Sequence, residues 1–206
     1  MDRYDAIIIG TGQSGPALAR RLAKAGQKVA VVERKFFGGT CVNTGCTPTK
    51  TLVASAYAAH VARRAADYGV TISGPIEVDM KAVKARKDAV ALASRQYVER
   101  SLKTLDGCTV YEGHAQLVAA NKVAVGDSVL MGNRIFINVG GRALVPPIPG
   151  LNDVPYLTMI DDGYRFPSAA SRRAWRQLHR AGIRADVSPI RKRGHGHRTR
   201  AALGRT

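Results

Sequence analysis

The stretch YDAIIIGTGQSGPALARRLAKAGQKVAVVE, residues 4–33, decides the fold. Tyr4 to Ile9 is a largely apolar, β-branched run ending at Gly10, the pattern of a short strand buried on both faces. Pro16 to Ala25 reads as a helix: Leu18 and Leu22 lie four apart, Pro16 suits a first turn, and Gly26 stops it. Lys28 to Val32 gives a second strand that finishes at Glu33. The order is strand, glycine turn, helix, strand, acid, and each part suits a dinucleotide. Gly10 permits the tight turn, Gly12 lets backbone approach a pyrophosphate, and Gly15 lets the helix pack close to the strand. The helix N-terminus offers phosphate its free N–H groups and partial positive charge. Glu33, 18 residues after Gly15, stands where a carboxylate accepts hydrogen bonds from ribose hydroxyls. In this context the glycine pattern predicts dinucleotide binding in preference to a phosphate-free packing turn.

Next comes Gly38-Gly39-Thr40-Cys41-Val42-Asn43-Thr44-Gly45-Cys46-Thr47-Pro48-Thr49-Lys50, which holds two of the chain's three cysteines. Four residues separate Cys41 from Cys46, so the sulfurs meet only if the backbone turns sharply, and Gly45 supplies freedom for that turn. The chain opens on the polar MDRYD, without a basic, apolar and small-residue leader, which predicts a cytoplasmic protein. In a reducing compartment a close cysteine pair is catalytic, redox-sensing or metal-binding rather than structural. Metal is the weaker of these options, because Cys108 and the scattered histidines offer no second pair at ligand spacing.

With 206 residues and 45% hydrophobic side chains, the chain has material for one ordinary domain. No apolar run approaches the roughly 20 residues of a membrane span. The net charge of +17 is unevenly placed: residues 163–206 hold 12 Arg or Lys against Asp186, leaving +6 for the first 162. Thr51 to Tyr68 predicts a helix with a stripe of Leu52, Ala56, Ala59 and Val61, and His60 reads as a partly buried helix residue. Asp79 to Leu105 predicts a second long helix whose Lys and Arg form a solvated face. Cys108 follows as a small buried thiol. From Thr109 to Val139 the period becomes two, with runs at Val110-Tyr111, 122–125, 128–131 and 134–138, predicting a small antiparallel meander that returns to the main sheet. Pro146, Pro147 and Pro149 then carry the chain away in extended form.

Together GTGQSG, GGTCVNTGCTPTK and INVGGRALVPPIPG resemble the flavoprotein pyridine nucleotide-disulfide oxidoreductases, especially their mercuric-reductase-like branch, over about residues 3–158. The resemblance implies a Rossmann-like, three-layer FAD-binding α/β domain. Gly10, Gly12 and Gly15 would bind the pyrophosphate, Glu33 the adenosine ribose, and Gly39 and Thr40 the middle of FAD. Gly113 and Ala115 would lie at the adenine, and Gly141 would also border the cofactor. Cys46 would face the flavin as the charge-transfer thiol, with Lys50 near flavin N5, and Cys41 would exchange with substrate. Electrons would pass from NADPH or NADH through FAD to the cysteine pair, then to a small-molecule disulfide or a metal ion.

The same resemblance implies a homodimer through an interface domain and a separate nicotinamide-binding domain, for which this sequence has no counterpart. The expected organisation is therefore a FAD-binding part at 1–150, a linker remnant at 151–162, and a basic tail at 163–206. Loss of pattern after Thr158 predicts a tail that is disordered or the product of a shifted reading frame. Two alternatives stand beside the enzyme: a non-catalytic FAD- or nucleotide-binding fragment, and a basic protein holding nucleic acid nonspecifically through its tail. Within that tail, Ser171 to Leu178 could form a short helix, and His195 and His197 are too few for a metal site.

Overall fold

The computed structural model describes residues 2–154. Strand β1 (Asp2–Ile9), helix α1 (Ser14–Lys24) and strand β2 (Val29–Glu33) realise the unit expected from residues 4–33. β1 and β2 pair parallel, with Ile7 opposite Ala30 and Ile9 opposite Val32. The chain then makes two helices, α2 (Gly39–Asn43) and α3 (Cys46–Arg63), and a 3₁₀ turn at Ala65–Tyr68. Helix α4 (Met80–Lys103) returns it to the sheet. Four strands follow, β3 (Cys108–Glu112), β4 (Ala115–Ala119), β5 (Lys122–Val125) and β6 (Ser128–Ile137), and a 3₁₀ turn at Leu151–Asp153 ends the described part. The strands lie in one six-stranded sheet of order β3-β2-β1-β6-β5-β4.

Two apolar cores flank the parallel strands. Ile8, Ala19, Val29, Val31, Phe37 and Leu102 close one face under α1 and α4. Ile7, Ala30, Val32, Val123, Val125 and Leu130 close the other under the antiparallel strands. The sequence explains this double burial. Successive residues of a strand point to opposite faces, so a continuous run such as Val29-Ala30-Val31-Val32 supplies both cores at once. Each large aliphatic side chain removed from water in this way contributes about 1.5–3 kcal/mol.

The α/β class, the glycine turn and the β4-β5-β6 meander agree with the sequence, while several details differ. The run at Val110-Tyr111, expected as the start of the meander, is β3 and pairs parallel with β2. The runs at 128–131 and 134–138 are one strand: β6 pairs antiparallel with β5 over Ser128 to Met131 and parallel with β1 from Leu130 to Ile137. Gly132 punctuates the sequence here without breaking the strand. A Cβ at that position would lie 2.8 Å from the Ile7 side chain, so the glycine makes room for the core. Helix α3 begins at Cys46, five residues earlier than expected. Its stripe is not a core face. Val61 is 41% exposed and His60 is exposed, because α3 packs chiefly on α4 and buries only Pro48 and Thr51.

Among the described residues no helix is long and apolar enough to cross a membrane, and no cluster of three metal-ligating side chains occurs. Most of the expected linker, the basic tail, the helix at Ser171 to Leu178 and the histidines His195 and His197 lie outside the described residues.

Candidate functional site

The site grows from the turn between β1 and α1. Gly10 adopts φ +99°, and a Cβ there would stand 2.3 Å from the Asn138 carbonyl oxygen at the end of β6. Only glycine satisfies both the conformation and the approach. At Gly15 the limit is space alone, since a Cβ would lie 2.4 Å from the Gly10 carbonyl oxygen. Asn138 fastens the turn: its backbone N–H donates to Ile9 O, its Nδ2 donates to Gly10 O at 3.3 Å, and its Oδ1 accepts from Ser14 Oγ at 2.9 Å. Among the described residues no protein acceptor takes the N–H groups of Gly12, Gln13 and Ser14. Three consecutive free donors at a helix N-terminus make a cradle for an anion such as pyrophosphate.

Glu33 ends β2 beside this turn. Its Oε2 accepts from Thr11 N at 3.0 Å and Thr11 Oγ1 at 2.6 Å. Its Oε1 accepts from Arg34 N at 2.9 Å and Lys35 N at 3.0 Å. The Gly113 N–H donates to the Glu33 carbonyl at 2.8 Å, which places Gly113 alongside the acid and Ala115 at the start of β4 just beyond.

The cysteine segment lies against the turn. Gly39 packs so closely on Gly12 that a Cβ would stand 2.8 Å from the Gly12 Cα. Cys41, in α2, and Cys46, the first residue of α3, form a disulfide with Cα atoms 4.6 Å apart. Gly45 contributes space rather than a left-handed turn. Its φ is −115°, and a Cβ would meet Thr40 O at 3.1 Å and Cys41 Cα at 3.3 Å. Cys46 is exposed and Cys41 half-buried.

Three residues that the sequence did not single out hold this segment. Asn43 Nδ2 donates to Phe37 O at 2.9 Å and Gly39 O at 2.8 Å. Arg95 of α4 donates through Nε to Asn43 Oδ1 at 2.7 Å and lays its guanidinium 3.9 Å from the Phe36 ring centroid. Buried Thr11 accepts from Gly38 N at 3.1 Å. Sequence spacing carries no signal for Arg95, which lies 52 residues from its partner. Asn43 lay in plain view inside the cysteine motif, and Asn138 at a strand end.

The expected residues are not all drawn in. Gly10, Gly12, Gly15, Glu33, Gly39, Cys41, Cys46 and Gly113 are gathered around the turn. Lys50 is exposed one helical turn beyond Cys46. Gly141 lies in an exposed strap with no atom within 4 Å of its Cβ direction. Cys108 is separate from the pair. It lies half-buried at the start of β3, and burial pushes its thiol up to about 11.

A parallel βαβ unit with an anion cradle at its glycine turn, and a disulfide-bearing segment packed on that turn through Gly39, defines a dinucleotide-binding redox protein. The chain belongs to the pyridine nucleotide-disulphide oxidoreductase family, whose model matches residues 4–183. The match runs beyond Thr158, where the sequence pattern was expected to end. The family is FAD-dependent and takes electrons from NAD(P)H. The chain is 38% identical over 150 residues to a dihydrolipoyl dehydrogenase of Acholeplasma laidlawii, covering 73% of this chain and 44% of that one. It is 36% identical over 161 residues to the probable pyridine nucleotide-disulfide oxidoreductase RclA of Escherichia coli K12, covering 75% and 32%. A mercuric reductase of Acidithiobacillus ferrooxidans is 34% identical over 161 residues, at 75% and 29%. The structure of the Cu(II) complex of the HOCl-induced flavoprotein disulfide reductase RclA from Escherichia coli superposes with a TM-score of 0.60 at 35% identity, covering 75% of this chain and 32% of that one. The chain thus spans 29–44% of the length of these curated relatives.

Proposed function

We propose that this chain supplies the FAD-binding and disulfide-exchange part of an NAD(P)H-dependent oxidoreductase acting on a disulfide or a metal ion. The observation that carries the reading is the Cys41–Cys46 disulfide, in a segment that packs through Gly38 and Gly39 on a glycine turn with free N–H donors. The residues present fit FAD. The N–H groups of Gly12, Gln13 and Ser14, with Gly10 and Gly15 shaping the turn, would hold the pyrophosphate. Glu33, Gly113 and Ala115 would hold the adenosine end, Gly39 and Thr40 the middle, and Gly141 and Lys50 would border the remainder. When bound, FAD supplies the two-electron relay between a nicotinamide donor and the cysteine pair.

The rest is thiol chemistry of the chain itself. In the reduced pair, the Cys41 thiolate attacks one sulfur of a substrate disulfide and releases the first substrate thiol. The Cys46 thiolate then attacks the Cys41 sulfur of the mixed disulfide, releases the second thiol and re-forms Cys41–Cys46. Cys46 at the first residue of an 18-residue helix benefits from the positive N-terminal end of the helix dipole, which favours its thiolate. The same dithiol is a soft ligand pair, which suits a mercuric-type ion as the alternative substrate.

An absorption spectrum of the purified chain tests this, first as isolated and then after FAD reconstitution and dithiol reduction. The expected result is a retained flavin band that gains a long-wavelength charge-transfer shoulder, abolished by Cys46→Ser and preserved in Cys41→Ser. A chain that retains no flavin under these conditions overturns the reading.

A further inference from the structure

We propose that Thr11 is a positioning residue tying the acid end of the nucleotide site to the redox segment, so that Glu33 helps set how readily Cys41–Cys46 is reduced. This deepens the proposed function and rests on the pair being redox-active, but not on flavin being bound.

The Thr11 side chain is wholly buried, and its hydroxyl has a single proton to give. Gly38 N–H already donates to that oxygen at 3.1 Å, so the proton points the other way, to Glu33 Oε2 at 2.6 Å. The chain of donors runs in one direction: Gly38 amide, Thr11 hydroxyl, Glu33 carboxylate. Each bond polarises the next. Thr11 N, Arg34 N and Lys35 N also donate to Glu33, so that with the hydroxyl each carboxylate oxygen accepts two hydrogen bonds from the protein. Only a carboxylate accepts at both oxygens in this way. An amide would keep one oxygen for Arg34 and Lys35 and turn its own N–H groups against the Thr11 N–H.

Gly38 is the residue before α2, three positions ahead of Cys41. The Thr11 bond therefore fixes the start of α2, Gly39 against Gly12 fixes its next residue, and Asn43 fixes its end. With both ends of α2 held, the reduced Cys41 stays close to Cys46. Its effective concentration for re-forming the disulfide is then high. Releasing the start of α2 lowers that concentration and makes the disulfide easier to reduce. Glu33 touches neither cysteine nor α2 in its hydrogen bonds, yet through Thr11 it acts on the same equilibrium.

The test uses the full chain free of flavin, equilibrated in graded mixtures of reduced and oxidised dithiothreitol. The thiols are then alkylated and counted by mass. Thr11→Val, which keeps the shape and removes the hydroxyl, is expected to shift the equilibrium about tenfold toward the dithiol, the scale of one lost hydrogen bond to a charged acceptor. Thr11→Ser should stay within about twofold of the unmodified chain, and Glu33→Gln should shift it about threefold or more in the same direction as Thr11→Val. Folded Thr11→Val and Glu33→Gln chains that both match the unmodified chain overturn the proposal. If Thr11→Val does not fold, the amide exchange of Gly38 decides. Strong protection in the unmodified chain that falls in Glu33→Gln supports the link, and an unprotected or unchanged Gly38 overturns it. A chain that binds no flavin but shows these shifts fails the proposed function and keeps this inference. One that binds flavin without the shifts does the reverse.

Discussion

The glycine turn at residues 10–15 and the cysteine segment at residues 38–50 pack against each other, yet different forces hold them. The turn is fixed chiefly by exclusion, since at Gly10 and Gly15 the nearest atoms leave no room for a Cβ, with Asn138 fastening it at the end of β6. In the cysteine segment the close approach of Gly39 to Gly12 is joined by attachment, through the bond of Thr11 to Gly38 and that of Arg95 to Asn43, polar side chains reaching from distant elements. Excluded volume is rigid and unforgiving. Hydrogen-bonded staples can be released one at a time, which would suit the disulfide exchange proposed for this segment. The lesson is a division of labour: a cradle that keeps its shape beside a redox loop whose mobility is set by a few removable bonds.

The strongest attempt to break this contrast is Gly10→Ala. The added methyl meets Asn138 O at 2.3 Å, with backbone at φ +99°, so overpacking and left-handed strain act together. They should cost about 3–5 kcal/mol, enough to unfold a marginal domain. Urea denaturation should show the whole described domain losing stability, with no separable early phase. A variant within about 1 kcal/mol of the unmodified chain would show that the turn is as adaptable as the cysteine segment.

The third cysteine sharpens the comparison from the other side. Cys108 sits at a strand start among core residues, and its thiol is pushed up to about 11 by burial. At pH 8 it should react with an alkylating reagent roughly two orders of magnitude more slowly than an unfolded thiol of pKa about 8.5. The reduced Cys41 and Cys46 should react first. Because the folded thiol holds its proton more tightly than the unfolded one, stability is intact below about pH 8.5 and falls as the pH rises toward 11. Equal alkylation rates for all three cysteines would remove the distinction between a core thiol and a working pair.

Arg95→Met removes one staple while keeping most of the aliphatic stem. It deletes the bond to Asn43 and the stacking on Phe36, together about 2 kcal/mol. The effect should be local. Amide exchange and limited proteolysis should quicken within residues 36–45, and the protection of β1 and β2 should barely change. Uniform loss of protection would mean that the segment and the sheet open as one unit.

What the sequence revealed follows the same division. Gly10, Gly15 and the strands around them were legible because a close approach demands glycine whatever lies on the far side. The cysteine pair was legible from spacing, and Glu33 from its place at a strand end. Thr11 was hidden because a threonine within a glycine motif looks like filler until burial gives its hydroxyl two partners. Arg95 was hidden inside a helix dense in charge, where one arginine looks like the next. The meander was misdivided at Gly132, a glycine that in sequence signals a turn and in the sheet makes room for Ile7. Exclusion leaves a mark at the residue excluded, whereas attachment leaves no mark until both partners are in place.

The smallest change separates the staple from the helix that carries it. Asp79 caps α4, its Oδ1 accepting from Lys81 N at 2.8 Å and Ala82 N at 3.3 Å. Arg95 lies 16 residues further on, about 24 Å along the axis. Asp79→Ala should cost about 1 kcal/mol and Asp79→Ser much less. An uncapped first turn frays locally, so the opening of residues 36–45, read by amide exchange under native conditions, should not quicken although the denaturation midpoint falls. If that segment opens faster in Asp79→Ala, α4 anchors it as a whole, and the stability of the redox segment is a property of helix docking rather than of the bond between Arg95 and Asn43.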